Sequence, residues 1–184
     1  MSEQHKPAPV IVQIPWQVPV AVEDVAEDGR HFDLVADATT RAAVARIAGL
    51  RDLPRLEATF DVTRHGQGGL RVIGLVAATV GQSCVVTLEP LANEVAEEVA
   101  LVFVPQSAMP KDGETATYDR RAEDREPLIG GSIDLGALAT EFLILSLDPY
   151  PRKPDAIFQP PADSKPEESP FAALAALKKG GDGG

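Results

Sequence analysis

The sequence contains few of the residues from which catalytic and metal sites are most often built. It has one cysteine, Cys84, and three histidines, His5, His31 and His65, among 184 residues. One cysteine excludes a disulfide within the chain and any cluster of cysteine ligands, and it agrees with a reducing compartment. The histidines lie far apart, without the spacing of a metal site. We therefore expect no metal, no other cofactor and no covalent catalysis, and we interpret Cys84 as a small buried side chain.

Long apolar segments are also missing. No stretch approaches the roughly 18 uninterrupted apolar residues of a membrane-spanning helix. The first residues lack a basic leader followed by an apolar run. We expect a soluble, cytoplasmic protein that does not bind membranes. The net charge of -11 argues against nonspecific nucleic-acid binding by the molecule as a whole, and it favours solubility or a basic partner.

The composition predicts one folded unit with unpacked ends. Apolar residues make up 44% of the chain, while 16 prolines and 15 glycines indicate that part of it is not packed. We predict a single domain over 16–147, preceded by a flexible leader over 1–15. Residues 105–126 combine proline and charge and are interpreted as a mobile loop. Residues 148–184 are predicted to form a proline-rich linker and a short C-terminal helix.

Hydrophobic periodicity predicts the α+β class: an antiparallel sheet of about six or seven strands, two main helices packed on it, and a flexible C-terminal tail. The predicted elements are a hairpin over 16–36, a helix over 39–49 begun by Asp37 or Thr39, strands over 56–63, 70–80, 84–88, 95–104 and 127–133, and a helix begun by Asp134. Gly130 and Gly131 indicate a bulge in the last strand. The final helix is apolar on most sides, so we expect it to be mostly buried.

Two stretches resemble the signatures of a known family. The first runs from Gln82 to Pro90 and includes Cys84 and Leu88; the second joins Asp134-Leu135-Gly136, Glu141 and the prolines at 149 and 151. On these residues the chain is similar to the large ribosomal RNA subunit accumulation protein family, called YceD-type, over most of 16–179. None of the signature residues is catalytic in kind. Glu141, a lone carboxylate among leucines, is either functional or at an exposed edge of the helix and paired with a basic residue, and we favour the pairing.

The resemblance implies a non-enzymatic bacterial factor needed for synthesis or accumulation of large-subunit ribosomal RNA. Its expected partners are a ribosomal RNA precursor or a large-subunit ribosomal protein. Relatives often carry further cysteines after position 84 and after the second helix. Here those places read Val85-Val86-Thr87 and Arg152-Lys153-Pro154-Asp155, so a metal-binding role of such relatives is not available to this chain.

Charge is distributed unevenly along the chain. Six arginines within 41–71 form a candidate RNA or partner face: Arg41, Arg46, Arg51, Arg55, Arg64 and Arg71. Residues 81–184 instead contain nine basic and eighteen acidic residues. Three interpretations stay open: ordinary solvated arginines, an RNA-binding face, or an acidic adaptor for a basic ribosomal protein. An enzyme whose site the sequence does not reveal is a further alternative.

Overall fold

The computed structural model describes residues 14–108 and 124–158. The predicted C-terminal helix, most of the predicted leader and most of the predicted loop lie outside these residues. The strands are β1 (Pro19–Ala21), β2 (Arg30–Val35), β3 (Asp52–His65), β4 (Gly69–Ser83), β5 (Pro90–Pro105), β6 (Asp124–Leu128) and β7 (Ser132–Asp134), and the helices are α1 (Ala38–Ile47) and α2 (Leu135–Ser146).

The strands form two sheets rather than one. The larger sheet has five strands in the order β2-β3-β4-β5-β6, and β1 pairs with β7 in a sheet of two. The α+β class is confirmed, and the seven described strands agree with the predicted six or seven, but their grouping into one antiparallel sheet is wrong. β5 and β6 are parallel. The chain leaves β5 at Pro105 and returns at Asp124, and a connection of this length allows the parallel pairing that a tight turn does not.

The β3–β4 hairpin forms the centre of the core. Its inner face presents the alternating residues that the sequence indicates, and Leu56, Ala58, Phe60 and Val62 are all at most 2% exposed. Buried residues of both helices join the same hydrophobic cluster. Because both helices lie against the inner face, the opposite face of the sheet, here called the outer face, keeps large apolar side chains in contact with solvent. Leu75 of β4 is 41% exposed there.

The predicted hairpin over 16–36 is wrong. β1 pairs with β7, more than a hundred residues later, and Val20 lies opposite Ile133 with both side chains buried. The strand predicted over 127–133 is instead two strands in different sheets. Gly130 and Gly131 have φ values of 66° and 72°, so they turn the chain out of β6 and into β7 where a bulge was expected.

Helix α1 has the local signals of both ends. The Asp37 carboxylate accepts from the backbone N–H of Thr40 at 2.7 Å, which makes Asp37 the N-cap. At the other end Gly49 has a φ of 67°, and the N–H of Leu50 donates to the carbonyl of Ala45 at 2.9 Å. This is the Schellman arrangement that ends a helix on glycine.

Helix α2 is buried over its first two turns and exposed at its end. Leu135 and Leu143 are fully buried, whereas Ile144 is 39% and Leu145 is 73% exposed. The expectation of a helix buried on most sides is therefore wrong for the last turn. At the start, a Cβ on Gly136 would lie 2.7 Å from the backbone oxygen of Trp16, so the chain before β1 packs directly on the helix.

Three further boundaries differ from the predictions. Residues 84–88 form a turn between β4 and β5 instead of a strand. Residues 124–126, at the end of the predicted loop, begin β6. Residues 148–158 contain the buried Pro151, although the sequence suggested that a linker starts there. The proline content identified this last segment as extended but gave no sign that it packs on the fold.

The Asp134 carboxylate generates a prediction about stability. It accepts three backbone N–H groups, from Val18 at 2.8 Å and from Gly136 and Ala137 at 3.0 Å. Asp134→Ala removes the helix cap and the bond to Val18, the residue before β1, together. We expect the free energy of unfolding, measured by urea denaturation, to fall by about 2 kcal/mol or more.

The matched control is Asp37→Ala, since Asp37 caps α1 through one such bond and holds no second element. We expect a clearly smaller loss for this variant. Equal losses would show that Asp134 acts only as a local cap.

Candidate nucleic-acid interface

The connection between β4 and β5, residues 84–89, is a compact turn that we call the signature loop. The N–H of Cys84 donates to the carbonyl of Glu89 and the N–H of Leu88 donates to the carbonyl of Cys84, both at 2.9 Å. Leu88 has a φ of 60°, the sole positive value among the described non-glycine residues, and its side chain is 76% exposed. A leucine in this conformation is strained, so the surrounding bonds must fix it.

Residues 148–155, here called the post-helix segment, lie against the signature loop. The Val85 N–H donates to the carbonyl of Pro151 at 2.9 Å, and the Gln82 side-chain amide donates to the carbonyl of Asp148 at 3.0 Å. The Lys153 ammonium pairs with the Glu89 carboxylate at 2.8 Å. The two stretches that carry the family resemblance are therefore in direct contact, which spacing along the chain did not indicate.

The Cys84 thiol lies where the loop and the segment meet. It is fully buried, and its Sγ accepts backbone N–H groups from Thr87 and Lys153, each at 3.5 Å. Hydrogen bonding from Thr87, followed by that from the Lys153 N–H, lowers the pKa of Cys84 from its ordinary value to about 6, against the opposing effect of burial. Among residues 14–108 and 124–158 no group of three histidine, cysteine, aspartate or glutamate side chains is arranged to hold a metal ion. Because its sulfur accepts from both Thr87 and Lys153, Cys84 links the signature loop to the post-helix segment by hydrogen bonds.

Three of the six predicted arginines border one groove. Arg41, Arg46 and Arg51 line an open groove of about 510 Å³ between α1 and the start of β3. Arg46 and Arg51 are exposed, whereas the Arg41 guanidinium donates to the carbonyl of Ala36 at 2.6 Å. Asp52 is the one acidic residue in the lining. The groove is therefore locally positive on a protein of net negative charge.

The other three arginines lie elsewhere, so the six do not form a single face. Arg55 is on the outer face of the sheet, where it pairs with Glu94 at 2.7 Å and with Glu57 at 3.3 Å. Arg64 donates to the carbonyl of Val25 at 2.6 Å, at the far end of β3. Arg71 lies opposite Val102 in β5. Strand alternation and the length of β3 separate residues that are close in sequence.

The groove and the signature loop meet at the end of β4. The Arg51 N–H donates to the carbonyl of Gly81 at 2.8 Å, and its guanidinium reaches the Ser83 hydroxyl at 3.5 Å. The neighbouring residue, Gln82, holds the post-helix segment. Two residues after that contact, Tyr150 has its side chain 69% exposed. Exposed cations and an exposed aromatic ring are therefore held at the same end of the sheet.

Comparison with known proteins identifies the family. The family model described as "Large ribosomal RNA subunit accumulation protein YceD" matches residues 72–178. The chain belongs to this family. No curated protein and no solved structure matches the chain. The YceD family is named as an accumulation factor and not for an enzymatic activity.

The matched range covers both signature stretches and the contact between them. It begins inside β4, so the arginines at 41–71 lie outside it and their role does not follow from membership of the YceD family. Tyr150 and Arg152 lie inside the match. None of the helices within residues 14–108 and 124–158 is long and apolar enough to cross a membrane.

The YceD signature residues have different positions in the fold. Asp134 and Gly136 hold the start of α2, and Cys84 joins the loop to the post-helix segment. Glu141 is on the exposed side of α2. Within the described chain it has no ion-pair partner, so the expected pairing with a basic residue is wrong. The solvent itself accommodates the Glu141 carboxylate.

Sequence reasoning missed Tyr150 as a member of this site. Tyr150 stands between Pro149 and Pro151, and the prolines were interpreted as a linker signal. An aromatic residue between two prolines in an otherwise aromatic-poor chain was the available signal, because flanking prolines restrict the backbone that carries the ring.

Cys84 generates a prediction about pH. Its pKa falls on folding from the ordinary value of 9.0 to about 6, so unfolding takes up a proton between these two values. The free energy of unfolding should rise with pH across this window, and the contribution should disappear as pH falls through about 6. Urea denaturation at several pH values, with the ultraviolet absorbance of the thiolate as a second readout, measures it.

The control is Cys84→Ser, which keeps a hydrogen-bond acceptor but does not ionise in this range. The difference in stability between wild type and Cys84→Ser should grow with pH. This comparison also cancels the contribution of His31, whose pKa is raised by its bonds to Asp61 and Asp33 and which therefore loses stabilisation as pH rises. A pH-independent difference would mean that Cys84 stays protonated in the folded protein.

Proposed function

We propose that this protein is a non-enzymatic factor for the accumulation of large-subunit ribosomal RNA, and that it binds precursor RNA at the end of the sheet where the groove meets the signature loop. Its place of action would be the cytoplasm, where ribosomes are assembled. Membership of the YceD family supports the role in ribosome biogenesis. The observation that supports the site is the contact of Arg51 with both Gly81 and Ser83, because it joins the cationic groove to the YceD signature.

Arg46 and Arg51 have the properties that phosphate binding needs. Both are exposed, and guanidinium groups form paired hydrogen bonds with phosphate oxygens. Arg55 is unsuited to the task because it already pairs with two carboxylates. We therefore assign the phosphate contacts to the groove and not to the whole set of arginines predicted from the sequence.

Tyr150 supplies the second element of single-strand recognition. Unpaired RNA bases stack on exposed aromatic rings, while cations bind the backbone beside them. Three contacts fix the position of Tyr150: its own N–H donates to the Asp148 carboxylate at 2.8 Å, Gln82 holds the carbonyl of Asp148, and Pro151 is buried next to it. The ring is thus exposed on a backbone that is held in place.

Arginine replacement tests the groove. In Arg46→Gln/Arg51→Gln, binding of precursor large-subunit RNA should weaken. The slope of the logarithm of the binding constant against the logarithm of salt concentration should also fall in magnitude by about two, because each lost phosphate contact means that about one fewer counterion is released on binding. Fluorescence anisotropy over a range of salt concentrations gives this slope.

The matched control is Arg30→Gln/Arg55→Gln, which changes net charge equally. Arg30 lies 4.7 Å over the Phe32 ring and Arg55 pairs on the outer face, so both are away from the groove. The control should keep the wild-type slope. Equal slopes in the two double variants would show that overall charge, not the groove, governs binding.

Tyr150 can be tested independently of charge. Tyr150→Ala should weaken RNA binding by about 1–3 kcal/mol through loss of base stacking, whereas Tyr150→Phe should bind like wild type. Because the side chain is exposed, neither change should lower the unfolding temperature. If Tyr150→Phe weakened binding as much as Tyr150→Ala, the hydroxyl and not the ring would be the contacting group.

The biological role has a separate test. A deletion strain should contain less large-subunit than small-subunit ribosomal RNA, and wild-type protein should restore the ratio while Arg46→Gln/Arg51→Gln should not. A deletion strain with a normal ratio would remove the proposed role itself. Rescue by the double variant would instead keep the role and reject the groove as its site.

A further inference from the structure

The outer face of the five-stranded sheet combines exposed apolar side chains with carboxylates. Ile73 and Leu75 of β4 are 42% and 41% exposed, and Val35 at the edge of β2 is 71% exposed. Strand register places Ile73 between Asp61 and Ala100, and Leu75 between Thr59 and Glu98. The apolar row on β4 therefore has acidic residues on both sides, one strand spacing away.

Negative charge predominates on this face. Its carboxylates are Asp33, Glu57, Asp61, Glu94 and Glu98, and its arginines are Arg55, Arg71 and Arg125, so five acidic side chains face three arginines. His31 lies on the same face, and its bonds to Asp61 and then to Asp33 raise the pKa of its ring. Glu98 is exposed and has no ion-pair partner within residues 14–108 and 124–158.

The exposed row has definite limits. Next to β6, Val102 and Val104 of β5 are buried, so that end of the face is covered. At the other end the Arg55 guanidinium, the Thr79 hydroxyl and the Glu94 carboxylate form a connected set, with Thr79 donating to Glu94 at 2.7 Å. Between these ends the surface presents Ile73 and Leu75 with carboxylates beside them.

We propose that this outer face binds a basic polypeptide segment whose lysine or arginine side chains lie along Ile73 and Leu75 and reach the carboxylates beside them. Long basic side chains pack their methylene stems on apolar surface while the charged head pairs at its edge. Each of the two apolar side chains has one carboxylate directly beside it, Asp61 next to Ile73 and Glu98 next to Leu75. The inference does not depend on the arginine groove or on RNA binding there.

Charge argues against the other occupants. RNA phosphates and anionic lipids would meet carboxylates of the same sign, and desolvating such pairs is unfavourable. A second copy of the chain placed face to face would bring the same carboxylates together. A basic polypeptide is the occupant whose charge is complementary to that of the face.

Calorimetric titration with two synthetic peptides tests the proposal on the full chain. In one peptide lysine alternates with valine, and in the other glutamate replaces every lysine. The lysine peptide should bind, with affinity that falls as salt rises, and the glutamate peptide should not. In methyl NMR spectra the lysine peptide should shift the signals of Ile73 and Leu75. Binding of both peptides alike, or of neither, would overturn the proposal.

Two exposed substitutions with matched controls locate the site. Leu75→Thr should weaken binding of the lysine peptide about fivefold by removing apolar contact, and Glu98→Gln should weaken it about twofold and reduce the salt dependence. Leu145→Thr on α2 and Glu27→Gln in the turn before β2 make the same chemical changes at exposed positions off the face, and both should bind like wild type. Equal effects of test and control variants would overturn the assignment.

The same variants distinguish the other occupants. Weaker binding of precursor RNA by Leu75→Thr/Glu98→Gln, with the RNA affinity of the controls unchanged, would show RNA on this face and overturn the proposal. A dimer seen by sedimentation in wild type and lost in Leu75→Thr would do the same. A photoreactive residue at position 75 tests whether the chain covers its own outer face. If it crosslinks to residues 159–184 without added peptide, the proposal is overturned.

Discussion

The carboxylate of Asp134 is the interaction on which the arrangement of the chain depends most. It ends β7, caps α2 and binds the N–H of Val18 beside β1, so one side chain fixes a strand pair and the direction of the buried helix together. The helix then sets where the following residues can go. With α2 held against β4 and β5, Leu147 leaves the helix beside the end of β4, and the post-helix segment reaches the signature loop.

The contact between that segment and the loop is made largely by backbone groups. Val85 donates to Pro151, and the N–H groups of Thr87 and Lys153 both point at the Cys84 sulfur. A buried N–H that lacks an acceptor costs free energy, so Cys84 stabilises both segments by accepting from each. Arg152 and Tyr150, on either side of Pro151, are consequently presented from a fixed backbone, although they belong to a proline-rich stretch.

Features encoded by neighbouring residues could be predicted from the sequence. The alternation of Leu56, Ala58, Phe60 and Val62, the caps at Asp37 and Asp134 and the turn at Gly49 each depend on interactions within a few positions. Some failures are local, such as the turn at 84–88 that was predicted as a strand, but the errors in strand pairing are nonlocal. The hydrogen bond from Val18 to Asp134 spans 116 positions, and no pattern near Val18 distinguishes a strand that pairs with β2 from one that pairs with β7.

The candidate site was only partly predictable for the same reason. The count of arginines within 41–71 identified a locally basic region, but whether they act together depends on strand alternation and on what each guanidinium meets. Arg55 points to the outer face and finds Glu94, which comes from β5, while Arg51 points to the end of β4. A count of arginines along the sequence therefore overestimates how many lie on one binding face when the segment includes a long strand, because alternate residues of a strand point to opposite sides of the sheet.

The fold also explains how a protein of net charge -11 can present a cationic surface. Its helices cover one side of the sheet, so the polar residues of β3 and β5 collect on the other side, where acidic residues outnumber basic ones. The groove arginines lie off that face: Arg46 is in the last turn of α1, and Arg51 follows the helix and contacts the end of β4. In our proposals the groove binds phosphate and the outer face binds a basic polypeptide, so two surfaces of opposite charge on one domain would serve different partners.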